Sequence, residues 1–170
     1  MVVPEGAVEL SLSGGELNTG EHIAIDVSLV NETAVGSFQI YIKDTPDVVG
    51  FISVETTGRT ENFVVNGDEV DNDLILVGFG DVIQPGSGSI LTLIFQGVNS
   101  GTADLEIFDV VFSDPDDNPI PVMTFSSEIV VTTIVSVDID VNPMAQNLIS
   151  LGVIPDMNNI ESILSEIDVL

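Results

Sequence analysis

Cysteine and tryptophan are absent from this 170-residue chain, which holds a single tyrosine, a single histidine and two basic residues. Without cysteine there is no disulfide framework and no thiolate metal site. No apolar run approaches the roughly 20 residues that a bilayer-spanning helix requires. The opening MVVPEG has neither a basic n-region nor an apolar h-region. That leaves a cytosolic protein or a mature segment, and the second is expected. The two cations, Lys43 and Arg59, face 28 acidic residues, for a formal charge of −26. A phosphate backbone or an anionic lipid surface would be repelled, so neither is a suitable partner. Such a surface needs salt or divalent cations to quiet its self-repulsion, as in a high-salt host. The residues offer no nucleophile–base pair, no phosphate loop and no histidine cluster, so an enzyme is the least favoured class. His22, beside Glu21 at a strand start, reads as an exposed side chain.

What is present is aliphatic. Apolar residues make up 44% of the chain and aromatics only 5%, so a core must be built of Val, Ile and Leu, residues favoured in strands. The stretch from Val35 to Gly58 organises the rest. Phe38, Ile40 and Ile42 alternate with Ser37, Gln39, Tyr41 and Lys43, which predicts one buried and one wet face. Asp44-Thr45-Pro46-Asp47 breaks that strand, with Asp able to fold its side chain back on the turn. A second apolar run follows from Val48 to Val54. Elsewhere Val8, Leu10 and Leu12, then Ile23, Ile25, Val27 and Leu29, repeat the period of two. Ser13-Gly14-Gly15 and Asn18-Thr19-Gly20 read as turn signals. Further strands are predicted at 62–66, 74–79, 90–95, 103–112 and 128–133, the last running on toward Val141. A polar link is predicted from Gly67 to Asp73.

Nine short strands at near-regular spacing predict an all-β fold, a sandwich or barrel. The last part differs. After Asn142-Pro143, Ile160, Ile163, Leu164 and Ile167 fall at helical spacing behind capping residues at 156–159. The predicted organisation is a sandwich over 1–133 and a C-terminal extension over 134–170, a strand continuation followed by a short helix.

Three passages resemble a cohesin domain. SFQIYIKDTPDVVGFISVETTG is similar to the family's third and fourth strands. DLILVGFGD is similar to its sixth. SILTLIFQGVNSGTADLEIFDVVFSDPDDNPIPV is similar to its seventh and eighth strands and the acidic turn behind them. The resemblance covers about Val8 to Val131, and the tail does not resemble the paired calcium loops of a dockerin. It implies a nine-stranded jelly-roll β-sandwich, non-catalytic and displayed outside the cell or on its surface. It also implies a dockerin-like partner docked on the sheet of the family's strands three, five, six and eight.

On that sheet the outward positions expected here are Ser37, Gln39, Tyr41 and Lys43, with Leu74 and Leu76 beside them and Val64 extending the patch. This reading puts Ile75, Val77 and Phe79 inside. Tyr41 is the best single anchor, offering large area with a polar tip. Alternatively, Leu74 and Leu76 are covered by neighbouring chain. The loop Asp114-Pro115-Asp116-Asp117-Asn118 sets oxygens at alternate positions, so Asp114, Asp116 and Asn118 are candidate Ca²⁺ ligands. The same residues also make an ordinary solvated turn, as do Asp68, Glu69, Asp71 and Asp73. The rival function is a subunit of an extracellular filament or surface layer, joined by strand addition of Met1–Gly6 or 132–141 to a neighbouring copy. A carbohydrate-binding module is disfavoured by the lack of aromatic rows.

Overall fold

The computed structural model describes residues 6–134, all within a unit spanning 1–135. The expectations for the N-terminal segment before Gly6, the run toward Val141 and the helix around Ile160–Ile167 lie outside the described residues.

Alternation becomes strand wherever it was regular. Among the described residues the order is β1 (Val8–Leu12), β2 (Gly15–Asn18), β3 (His22–Asn31), β4 (Val35–Thr45), β5 (Val49–Thr56), β6 (Val64–Val70), β7 (Asp73–Ile83), β8 (Gly86–Gly97), β9 (Gly101–Ser113), β10 (Pro119–Ile120), β11 (Val122–Phe125) and β12 (Ser127–Thr132). One sheet runs β11-β1-β3-β8-β5 and the other β2-β12-β9-β4-β7-β6, with β10 beside β9. Their inner faces meet as an aliphatic core. Leu10, Ile25, Leu29 and Leu93 come from the first sheet, and Ile40, Ile42, Leu76, Leu105 and Phe112 from the second.

Three elements were not foreseen: β2, β10 and β11. Each has at most four residues, too few to show a period. β2 and β11 exist because the chain changes sheet twice. At Ser13-Gly14 it passes from β1 to β2, and at Ser126 from β11 to β12. The two passages lie side by side, since β1 pairs parallel to β11 and β2 parallel to β12. Gly14 permits this: a Cβ there would fall 2.5 Å from the Glu128 carbonyl oxygen. The backbone N–H of Asp26 donates to Ser13 Oγ at 2.8 Å, and Ser127 Oγ donates to the Ser13 carbonyl at 3.0 Å.

The corner after β4 forms as its residues predict. The buried Asp44 carboxylate accepts the N–H groups of Val48 (2.6 Å) and Val49 (3.0 Å), so two otherwise orphaned donors are satisfied. The expected polar link after Gly67 is instead the second half of β6. It forms a hairpin with β7, closed by Asp71 and Asn72 at φ 53° and 67°. Asp and Asn are the side chains that best tolerate this left-handed pair. Glu69, taken as part of an acidic cluster, reaches the other sheet and accepts the Phe51 N–H at 2.7 Å.

Arg59 pins the opposite rim. Its Nη1 donates to the carbonyls of Leu29 (2.7 Å) and Gly88 (3.2 Å), and its Nη2 to Asn31 Oδ1 (2.6 Å) and the Gln84 carbonyl (3.0 Å). Burial pulls its pKa down from the ordinary value, yet a guanidinium keeps its charge. A lysine would keep the charge but lose the planar fork. Arg59→Lys is therefore expected to cost roughly 1–2 kcal/mol, read as a lower urea midpoint. An unchanged midpoint would show that the fork holds nothing.

Candidate functional site

Residues paired directly across neighbouring strands share a face. On β4, Phe38, Ile40 and Ile42 are buried, so Ser37, Gln39, Tyr41 and Lys43 line the outward side, half-exposed. The register then writes out the outer surface in rows. Val64, Phe79, Ser37 and Ser113 form the first. Asn66, Val77, Gln39 and Val111 form the second, and Asp68, Ile75, Tyr41 and Phe108 the third. Val70 pairs with Asp73 and Lys43 with Glu106, and the Lys43–Asp73 ion pair joins them as the fourth.

This register reverses the expected parity of β7. Leu74 and Leu76 are 2% and 0% exposed, while Phe79 is 52% exposed. The two leucines pair with Ile42 and Ile40 and share their inward face, so they cannot touch a partner. The neighbour that decides the parity is Gly78, opposite Phe38. A Cβ on Gly78 would lie 2.1 Å from the Phe38 ring. Only glycine fits beneath that ring, so position 78 faces in and Phe79 faces out. The expected outward places of Ser37, Gln39, Tyr41, Lys43 and Val64 agree with the structure. Val77, Phe79, Phe108 and Val111 are outward residues that the sequence reading missed.

The centre of this face is apolar and shaped. Val64, Phe79 and Val111 are each more than half exposed. A groove of about 220 Å³ lies among Ser37, Gln39, Val77, Phe79 and Val111, floored by Phe38 and Gly78. Below it, Gln39 Nε2 donates to the Tyr41 hydroxyl at 2.8 Å. The Tyr41 ring leans on Phe108, with centroids 5.6 Å apart. Tyr41 is thus held in place rather than free. Lys43 donates to Asp73 at 3.1 Å, both side chains being well exposed, so this pair adds little stability.

The outer face of the other sheet differs. Its rows include Ala24–Ile94–Ser53, Asp26–Thr92–Glu55, Phe125–Ser11–Ser28–Ser89 and Glu9–Val30–Ser87. Thr92 and Ser89 hydroxyls donate to the Asp26 carboxylate at 2.9 and 3.3 Å. Its exposed apolar side chains, Val30, Ile52 and Phe125, stand on three different strands, and small or polar side chains fill most of the rows between them.

The Asp114–Asn118 loop is closed by its own donors. Asp114 Oδ1 accepts the N–H groups of Asp116 and Asn118, both at 2.9 Å, and the Asn118 amide reaches both carboxylate oxygens. The Asn118 side chain, then its backbone N–H, hold the Asp114 carboxyl below its ordinary range. The Asn118 side chain turns its N–H toward Asp114 rather than presenting oxygen. Asp114, Asp116 and Asn118 as arranged do not fit a cation. Among the described residues no three His, Cys, Asp or Glu side chains converge as metal ligands.

No family model matches the sequence, and no curated protein matches it. Solved structures do. The non-cellulosomal cohesin of the hyperthermophilic archaeon Archaeoglobus fulgidus superposes with a TM-score of 0.65 at 22% identity, over 74% of this chain and 91% of that one. The fold is that of a cohesin domain. A second cohesin structure, the type I Coh-OlpC–Doc435 cohesin–dockerin complex from Clostridium thermocellum, aligns with a TM-score of 0.66 at 14% identity, over 79% and 99% of the two chains. CaCohA2 from Clostridium acetobutylicum aligns at 0.59 and 20% identity, over 75% and 92%. In this chain the cohesin fold brings β6, β7, β4 and β9 together as adjacent strands, the set that the sequence resemblance pointed to.

Proposed function

We propose that this chain is a non-catalytic docking module, presented outside the cell, that receives a dockerin-like protein on the outer face of β9-β4-β7-β6. The observation that carries the reading is the contiguous apolar centre of exposed Val64, Phe79 and Val111 with half-buried Val77 around a groove, beside a prearranged Tyr41. Exposed apolar centres rimmed by polar groups mark interaction surfaces, whereas the exposed apolar residues of the opposite face, Val30, Ile52 and Phe125, are spread over three strands. Similar solved structures that are themselves cohesin–dockerin complexes support the choice of partner class.

The test is the double substitution Phe79→Ser with Val111→Ser, measured against a panel of dockerin modules. Both side chains are largely in water already, so the melting temperature should move by no more than about 2 °C. Affinity for any dockerin that binds the unaltered chain should fall at least tenfold, about 1.4 kcal/mol. Unchanged affinity would overturn the assignment of this face.

A further inference from the structure

The docking face carries a charge pattern that its apolar centre does not require. Asp68 stands beside Ile75 and Asp73 beside Val70. Glu106 stands opposite Lys43. Asp109 projects at the β9 bulge, exposed and at φ 48°, and the exposed Asp81 follows Phe79 two residues on. Carboxylates on β6, β7 and β9 therefore border the apolar centre, and Lys43, the cation in these rows, is already engaged by Asp73.

We infer that the occupant of this face is a protein surface built in the complementary sense: an apolar knob at its centre, ringed by lysine or arginine. This rests on the docking reading and adds the partner's chemistry to it. A second copy of the chain is the wrong occupant. A two-fold contact brings the same patch against itself, so carboxylates would meet carboxylates. A copy brings 28 acidic and two basic residues, too few cations to answer them. Like charge across an interface opposes association, while opposite charge steers it and raises the on-rate. The steering is long-ranged and screened, since the Debye length falls from about 10 Å at 0.1 M salt to about 3 Å at 1 M.

The experiment titrates the whole ¹⁵N-labelled chain with three synthetic helical peptides of equal length. The first has a leucine stripe flanked by arginines. The second keeps the stripe and replaces each arginine with glutamate. The third keeps the arginines and replaces each leucine with serine. The first should shift amides on β4, β6, β7 and β9. Its affinity should weaken roughly tenfold between about 0.05 M and about 0.5 M salt. The second should bind at least tenfold more weakly at low salt. The charge-neutralised variant Asp68→Asn with Glu106→Gln should lower affinity for the first peptide and flatten its salt dependence. If the first two peptides bind this face equally, the basic-rim inference falls and the docking face stands. If the third binds as well as the first, or the first shifts no amide on this face, the docking reading falls with it.

Discussion

Leu76→Ala is expected to cost about 3 kcal/mol of folding stability, within the 2–5 kcal/mol typical of buried leucine truncation. That corresponds to a fall of roughly 10 °C in melting temperature for a domain of this size. Leu76 is fully buried, pairs with Ile40 on the inner side of the sheet, and touches the space over Gly67, where an added Cβ would meet its Cδ2 at 3.0 Å. Close-packed surroundings of this kind collapse only partly around a missing isobutyl group. The outward rows contain no atom of Leu76, so affinity at the docking face should hold at temperatures where the variant is still folded. Chemical denaturation beside a binding isotherm separates the two. A variant with wild-type stability and lost binding would show that Leu76 faces outward after all, and would return β7 to the opposite parity.

Gly78→Val is expected to be comparably damaging, by about 3 kcal/mol, the upper end of ordinary overpacking. The Phe38 ring cannot retreat from a side chain at position 78. It is stacked against Phe63, at 6.0 Å between centroids, and against Phe112, at 5.8 Å. Relief would need either a displaced ring with both stacking partners or a separation of β4 from β7. Each breaks contacts at the centre of the seven-stranded sheet. Phe38→Ala should partly rescue the valine, because removing the ring removes the clash. The double variant should therefore be more stable than the sum of the two single losses implies. Strict additivity in a urea series would show that the two positions do not meet.

These substitutions probe the place where sequence reasoning ran out. β1, β3 and β4 were legible because one of their faces is polar. Ser37, Gln39, Tyr41 and Lys43 against Phe38, Ile40 and Ile42 leave no choice of inside. β7 offers no such contrast. Leu74, Leu76 and Gly78 on one side, and Ile75, Val77 and Phe79 on the other, are both apolar, though one side faces the core and the other faces out on the proposed docking surface. Period alone cannot orient a strand with two greasy faces; the register against β4 does, and register is a long-range property. The signal that would have served is local and small, a glycine in a strand opposite a phenylalanine, where a ring needs room. The parallel contacts of β1 with β11 and of β2 with β12 join residues more than 110 positions apart, so nothing in either segment announces them. The Asp114 loop was ambiguous for another reason. Asp and Asn serve equally as turn formers and as oxygen donors, and only the orientation of the Asn118 amide separates the two uses.

The acidity of the chain is visible without any structure, but its placement is not. The rows across β9-β4-β7-β6 turn a bulk charge into a bordered surface. This converts a statement about solubility into one about which partner can approach.

The paired passages of the first and last strands have a mechanical consequence. Val8 lies beside Val122, and Thr132 lies beside Asn18, so the two outer ends of these parallel segments sit at opposite poles of the sandwich. Tension applied between residues 8 and 132 runs along the strands and loads both parallel pairings in shear. Their hydrogen bonds must then give way together rather than peel apart one after another. A module gripped on one sheet and tethered through its backbone would bear traction along the direction in which its topology is hardest to tear.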